Sequence, residues 1–206
     1  MREMKITNLM DNIDFEAQML CDELGNFSDG LRMIMLLQRA KDGGNSDKDD
    51  KRMLATYLYS NKIEFLYYMR EALYLQYLYQ DKKPRIYISV NRRDMKKSIR
   101  NIEERLIEGH YANDNEAKDS IYRKILLNNR SFIMKPQSRL ETLFLLDIDD
   151  VLLFDGVHDW CAKNNVKILL KRRTKQGWHF VTEPFNPNDW DKNLGEIKKD
   201  ALLFIK

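Results

Sequence analysis

Apolar side chains recur at helical spacing from about residue 13 to residue 40, at Phe15, Met19, Leu20, Leu24, Leu31, Ile34, Met35 and Leu37. That period predicts a helical region with one face against a core. The stretch Asp42-Gly43-Gly44-Asn45-Ser46-Asp47 has the composition of a loop. From Lys51 to Gln80 the residues Met53, Leu54, Tyr57, Leu58, Phe65, Leu66, Met69, Leu73 and Tyr77 predict a second helical region with an aromatic stripe for packing. Beyond Pro84 the period changes. Arg85-Ile86-Tyr87-Ile88-Ser89-Val90 is β-branched and aromatic, as a strand should be. Asp94 is placed to cap a helix running through Met95, Ile99, Ile102 and Leu106, and Glu116 to Leu127 predicts another. The chain is therefore expected to divide near Pro84 into a helical region, 1–83, and an α+β module, 84–206.

The most informative stretch is Leu143-Phe144-Leu145-Leu146-Asp147-Ile148-Asp149-Asp150. A continuous apolar run bounded by charge predicts a buried strand. An amphipathic segment, Val157 to Asn164, follows, then a strand at Val166–Arg173 and a hairpin turn at Thr174-Lys175-Gln176-Gly177. Trp178-His179-Phe180-Val181-Thr182 alternates as a strand, and Pro184 ends it. Asn188 or Asp189 can cap a helix reaching about Lys199, and Ala201–Ile205 is the final strand expected. Laid end to end, the last third reads β-α-β-β-α-β, the order of a ferredoxin-like or RRM-like sheet. In that topology Asp147 and Asp149, at the end of the first strand, lie beside the starts of two others, which carry His179 and Asp200. The hairpin brings Arg172, Arg173 and Lys175 to the same end.

Residues i and i+2 of a strand share a face, so Asp147 and Asp149 project together. Two adjacent carboxylates repel and are costly to desolvate. A divalent cation resolves both problems, because Mg²⁺ or Mn²⁺ takes hard oxygen ligands and bridges carboxylates to phosphates. A solvated acidic turn is the alternative for this pair alone, and Asp150 beside it leaves the ligand assignment open. The full edge, with carboxylates, a histidine and several cations, suits nucleotidyl or phosphoryl transfer. Asp147, Asp149 and Asp200 would hold metal, His179 would contact the triphosphate or donate a proton, and Arg172, Arg173 and Lys175 would offset phosphate charge.

Composition adds limits. The chain has 206 residues, 35 basic and 32 acidic, for a net charge of +3, so nucleic-acid affinity must come from a local patch. With 43% hydrophobic residues a packed core is affordable. Cys21 and Cys161 cannot form a disulfide framework or a structural zinc site, which suggests a reducing, cytoplasmic setting. Met1-Arg2-Glu3-Met4-Lys5 opens an acidic amphipathic stretch unlike a signal peptide, and no apolar run is long enough to cross a bilayer.

Asp147-Ile148-Asp149, then Thr174-Lys175-Gln176-Gly177-Trp178-His179 opening a strand, then Asp200 before a short strand, resembles the archaeo-eukaryotic primase superfamily. Its members carry an RRM-like catalytic module with an Asp-x-Asp motif, a later Ser-x-His motif and a third acidic residue. Gly177 stands where that serine is found. The strand ending in Asn91-Arg92-Arg93 resembles the segment preceding the catalytic module, and the likeness spans about residues 85–206. It implies synthesis of RNA or DNA from nucleoside triphosphates on a single-stranded template with Mg²⁺ or Mn²⁺. It also implies metal ligation by Asp147, Asp149 and Asp200, a nucleotide contact at His179, and nucleic-acid contacts at Asn91, Arg92 and Arg93. The size suits a minimal enzyme or one subunit of a replication or repair assembly with a partner protein. Two rival readings fit some of the same residues. Asp147-Ile148-Asp149-Asp150-Val151-Leu152 also resembles the first motif of haloacid-dehalogenase phosphatases, whose later motifs need more chain than follows. A non-catalytic RRM-like module binding nucleic acid or protein would instead expose aromatics such as Trp178, Phe180 and Phe204.

Overall fold

The computed structural model describes residues 2–39, 51–112 and 114–206; the loop expected at 42–47 lies outside the described residues. The described residues form an α+β fold with two four-stranded antiparallel sheets. The chain forms two compact units, one of residues 1–90 with 143–206 and one of residues 91–142. Among the described residues no helix is long and apolar enough to cross a membrane.

In the first unit, helix α1 (Arg2–Leu24) is followed by Gly25 at φ 51° and Gly30 at φ 75°, conformations that favour glycine and interrupt a helix. The chain then enters β1 (Arg32–Arg39), which pairs with β2 (Lys51–Tyr59). The helical regions expected over 13–40 and 51–80 are thus each a helix joined to a strand. In β1 the buried Ile34 and Leu36 alternate with the less buried Met33 and Met35, a period of two that a helical count of the same residues conceals. Asn61 then caps α2 (Lys62–Leu78), accepting from the Glu64 N–H, while the Glu64 carboxylate accepts from the Ser60 N–H and hydroxyl. That reciprocal cap is the signal that a new element starts there. β3 (Arg85–Ser89) pairs with β1, so the sheet runs across the boundary expected near Pro84. Ala17, Leu20, Phe65, Met69, Ala72, Ile34, Ile86 and Ile88 are buried together. Each full-sized member contributes about 1.5–3 kcal/mol on burial.

The second sheet contains β4 (Phe144–Ile148), β5 (Ile168–Arg173), β6 (Trp178–Thr182) and β7 (Glu196–Lys199), in the order β5-β6-β4-β7. Helix α5 (Phe154–Lys163) covers one face, where Leu146, Ile148, Phe180, Val157, Cys161 and Trp190 form a second core. It ends with Asn165 in the left-handed region at φ 55°. Leu145 and Val181, on the opposite face, join the first core.

The C-terminal segment departs from expectation. Instead of a helix from 188 to 199 the chain makes two short 3₁₀ turns, Pro187–Asp189 and Lys192–Leu194, and then β7. Asn186 and Asp191 side chains accept from nearby N–H groups, and Gly195 adopts φ 141°. These local bonds compete with helix formation. Residues expected to close the module form β8 (Leu202–Phe204), which pairs with β3 in the first sheet.

The second unit is a helical hairpin of α3 (Met95–His110) and α4 (Asn115–Ile133). Asp94 and Asp114 cap them, accepting from the Lys97 and Ala117 N–H groups. Gly109 admits the close approach of Ile121, whose Cγ2 would lie 2.8 Å from a Cβ there. The ends of the hairpin are tied by Ser98 Oγ and Asn101 Nδ2, which donate to the carbonyls of Ile133 and Phe132.

Candidate active site

The register of the second sheet aligns one residue from each strand in a polar row. Arg172 on β5 lies opposite His179 on β6, His179 opposite Asp147 on β4, and Asp147 opposite Glu196 on β7. Paired residues share a face, so the four side chains project together.

Asp147 is the centre of the row. Its Oδ1 accepts from His179 Nε2 at 3.1 Å, and its Oδ2 pairs with the Lys198 ammonium. His179 is 8% exposed, and its Nδ1 accepts from the Phe204 N–H at 3.4 Å, which assigns the proton to Nε2. The hydrogen bond from His179 and the Lys198 contact hold the Asp147 carboxyl well below the usual carboxylate range, outweighing partial burial. Burial opposes the charge on Lys198, but the Asp147 hydrogen bond and the fields of Asp147, Glu196 and Asp149 raise its pKa. Lys198 Nζ is also 3.7 Å from Glu196 Oε2. One ammonium is thus shared by carboxylates on two strands and the turn that follows β4.

Two glycines flank the end of β4. A Cβ at Gly177 would overlap the Ile148 carbonyl oxygen and lie 2.8 Å from its carbon and 2.9 Å from the Asp149 carbonyl carbon. A Cβ at Gly195 would lie 2.5 Å from the Asp147 carbonyl oxygen. The Gly195 carbonyl accepts from Trp190 Nε1 at 2.8 Å, which pins the approach to β7. Glycine at 177 therefore has a steric cause: the hairpin turn packs directly on the backbone between Ile148 and Asp149.

Several expected site residues are placed elsewhere. Asp200 follows Lys199, which pairs with Phe144, whereas Asp147 pairs with Glu196. Asp200 thus lies toward the other end of β4, about 13 Å along the strand from Asp147, and does not join its carboxylates. The residue beside Asp147 is Glu196, which the expected helix concealed. Asp150 is also separately engaged, since its side chain accepts from the Leu152 N–H at 2.8 Å and caps the next turn. Arg172 is committed to structure: it donates to Glu23 Oε1 and to the Ile205 carbonyl, each at 2.5 Å. His179 has both ring nitrogens engaged within the protein, Nε2 with Asp147 and Nδ1 with the Phe204 N–H. Its face of the sheet is covered in part by the first core instead of standing open. Arg173 and Lys175 remain exposed on the hairpin, Arg173 with its guanidinium 5.9 Å from the Trp178 ring centroid.

Asn91, Arg92 and Arg93 belong to the second unit and hold it together. Asn91 and Arg93 are buried, with Arg93 donating to the Lys135 carbonyl at 3.2 Å. Arg92 forms a two-pronged pair with Glu141, both N···O distances 3.1 Å. Arg92 and Arg93, expected at a nucleic-acid contact, each have an acceptor within this unit.

Among the described residues no three His, Cys, Asp or Glu side chains are grouped as a metal cage. The donors present still fit Mg²⁺ or Mn²⁺ in one respect. Mg²⁺ is commonly held by one or two carboxylates with water and substrate phosphate completing its shell. Asp147 is oriented and ionised, Asp149 is exposed two residues on, and Glu196 lies opposite. No family model, curated protein or solved structure matches the chain.

Proposed function

We propose that this protein is a metal-assisted nucleotidyltransferase resembling a primase, acting on nucleoside triphosphates with a single-stranded nucleic-acid template. The observation that carries this is the polar row: an ionised Asp147, fixed by His179 and followed by an exposed Asp149, at the end of a central strand. The strand order β7-β4-β6-β5 is the order of a ferredoxin-like or RRM-like β-α-β-β-α-β module, with the second helix replaced by 3₁₀ turns. Bound Mg²⁺ or Mn²⁺ would neutralise triphosphate charge and make an attacking hydroxyl more acidic.

The chain's own groups do the positioning. His179, locked by the Phe204 N–H, donates to Asp147 and fixes its carboxylate without competing for phosphate. Asp149, exposed at the strand end, reaches solvent where a triphosphate would enter. Arg173 and Lys175 on the adjoining hairpin offset its charge. The binding-module alternative draws less support, because Phe180 is fully buried and Phe204 packs 5.7 Å from Tyr87, leaving no open aromatic platform from these residues.

Incubation with labelled nucleoside triphosphates, single-stranded template and Mn²⁺ or Mg²⁺ tests the reading. Metal-dependent oligonucleotide synthesis by the native protein, absent in Asp147→Ala/Asp149→Ala, is the expected result. No synthesis, with template binding unaltered by the double substitution, would favour the non-catalytic module.

A further inference from the structure

We infer that the outer face of the α1–α2 layer binds a second copy of this chain, with the two α2 helices antiparallel about a two-fold axis.

Within one copy, α1 and α2 are antiparallel neighbours. Asp14 pairs with Arg70 and Asp22 with Lys62, so a step up one helix matches a step down the other. Their inner sides pack into the first core through Ala17 and Leu20 of α1 and Phe65, Met69 and Ala72 of α2. The other side of α2 is apolar as well. Ile63, Tyr67, Tyr74 and Leu78 form a stripe opposite the buried residues, and Ile63, Tyr67 and Leu78 are 81%, 60% and 50% exposed. On α1, Phe15 and Met19 are exposed one turn apart. A helix apolar around its whole circumference is normally covered on both sides.

Area, spacing and charge all point to a second copy as the cover. At about 200 Å² for a fully exposed large side chain, these six residues and Tyr77 present about 800 Å² in two ridges. That exceeds the largest apolar patch of an ordinary monomer and equals one partner's share of a standard interface. The stripe also reads the same in both directions. Ile63 and Tyr67 are four residues apart, as are Tyr74 and Leu78. A two-fold axis level with Arg70 and Glu71 therefore sets each Tyr67 against a Tyr74 and each Ile63 against a Leu78, the self-complementarity an isologous interface requires. Arg70 and Glu71 fall on the flanks of the stripe, where charged residues rim a helix pair. The ends of α2 are opposite in charge. Asp22 and Asp29 outnumber Lys62 around the cleft at its start, and Lys82 and Lys83 outnumber Asp81 beyond its end. Antiparallel pairing brings each start beside the other copy's end and opposes the helix dipoles.

Sedimentation equilibrium of the full chain is the test. The native protein should sediment at twice the chain mass at micromolar concentration. Tyr67→Glu and Tyr74→Lys, both at exposed positions, should each weaken the dimer about 100-fold or more, with far-ultraviolet circular dichroism unchanged. Mixing the two variants should restore a dimer, because the new carboxylate and ammonium then face each other across the axis. A native chain that is monomeric up to about 100 μM, a dimer that neither substitution weakens, or variants that do not recover on mixing would overturn the inference. A monomeric native chain whose binding of a single-stranded oligonucleotide is lost in Tyr67→Glu would overturn it in favour of a base-stacking surface.

Discussion

Gly177→Ala isolates the contact on which the geometry of the site depends. Gly177 is outside the left-handed region, so alanine can adopt its backbone and the cost comes from packing alone. A Cβ there meets the carbonyl carbons of Ile148 and Asp149 at 2.8 and 2.9 Å and overlaps the Ile148 oxygen. All these atoms are backbone, so no side chain can swing aside. The hairpin turn and the end of β4 must separate by about 1 Å, and because the clash is with backbone the overpacking cost is about 3 kcal/mol, the upper end of the usual range. Reduced freedom of the unfolded chain returns about 0.4–1 kcal/mol, leaving about 2 kcal/mol of destabilisation. With a urea slope of about 2–3 kcal/mol per M for a chain of this size, the unfolding midpoint should fall by roughly 1 M. Gly25→Ala is the control, since Gly25 has φ 51° but open space around it. Only the left-handed conformation is penalised there, by about 1 kcal/mol. Equilibrium urea unfolding followed by far-ultraviolet circular dichroism compares the two. A Gly177→Ala protein within about 0.5 kcal/mol of the native one would refute the close approach, as would a Gly25→Ala protein that loses more stability. Gly177→Ser, which adds the same Cβ, should behave like Gly177→Ala.

Three further outcomes follow from other contacts. The Asp147 carboxyl has a folded pKa below its unfolded value of about 3.9, so it binds fewer protons folded than unfolded. Its stabilisation is present above that value and is lost as pH falls through the lower folded one; Asp147→Asn should flatten this part of the acid unfolding curve, and an unchanged curve would contradict the assignment. Trp190→Phe removes the indole N–H bond to the Gly195 carbonyl. It should cost about 1 kcal/mol in thermal unfolding, and a neutral effect would show that this bond does not secure the approach to β7. Arg92→Ala breaks the pair with Glu141. It should speed amide hydrogen exchange in α3, for a loss of about 1 kcal/mol or less, while single-stranded nucleic-acid binding stays within twofold; a selective loss of binding would restore Arg92 as a contact.

Where one local signal dominated, the elements were legible. β4, β6 and α3 follow the apolar run, the alternation at 178–182 and the Asp94 cap closely. The N-terminal strands were hidden because residues 31–39 carry apolar groups compatible with either period, and pairing with β2 and β3 decides between them. The cap at Asn61 and the glycines at 25 and 30 marked the breaks. At the site, Asp147, Asp149 and His179 were visible because strand alternation fixes which side chains share a face. Glu196 and Lys198 were not, because Asn188 and Asp189 are good caps and nothing local announces that Gly195 will open a strand at φ 141°. That single misread element also moved Asp200 away from the site and sent β8 into the other sheet. Arg92, Arg93 and Arg172 show the limit of charge as a guide: each is consumed by an internal acceptor that only the folded chain brings near.

The most direct measurement is Mn²⁺-dependent binding of a labelled nucleoside triphosphate by native protein, Asp147→Asn/Asp149→Asn and Asp200→Asn. The expected result is metal-dependent binding that the double variant loses and Asp200→Asn retains within twofold, since Asp200 lies along β4 toward the other end. Binding that ignores Mn²⁺, or that Asp200→Asn abolishes as fully as the double variant, would contradict the site at Asp147.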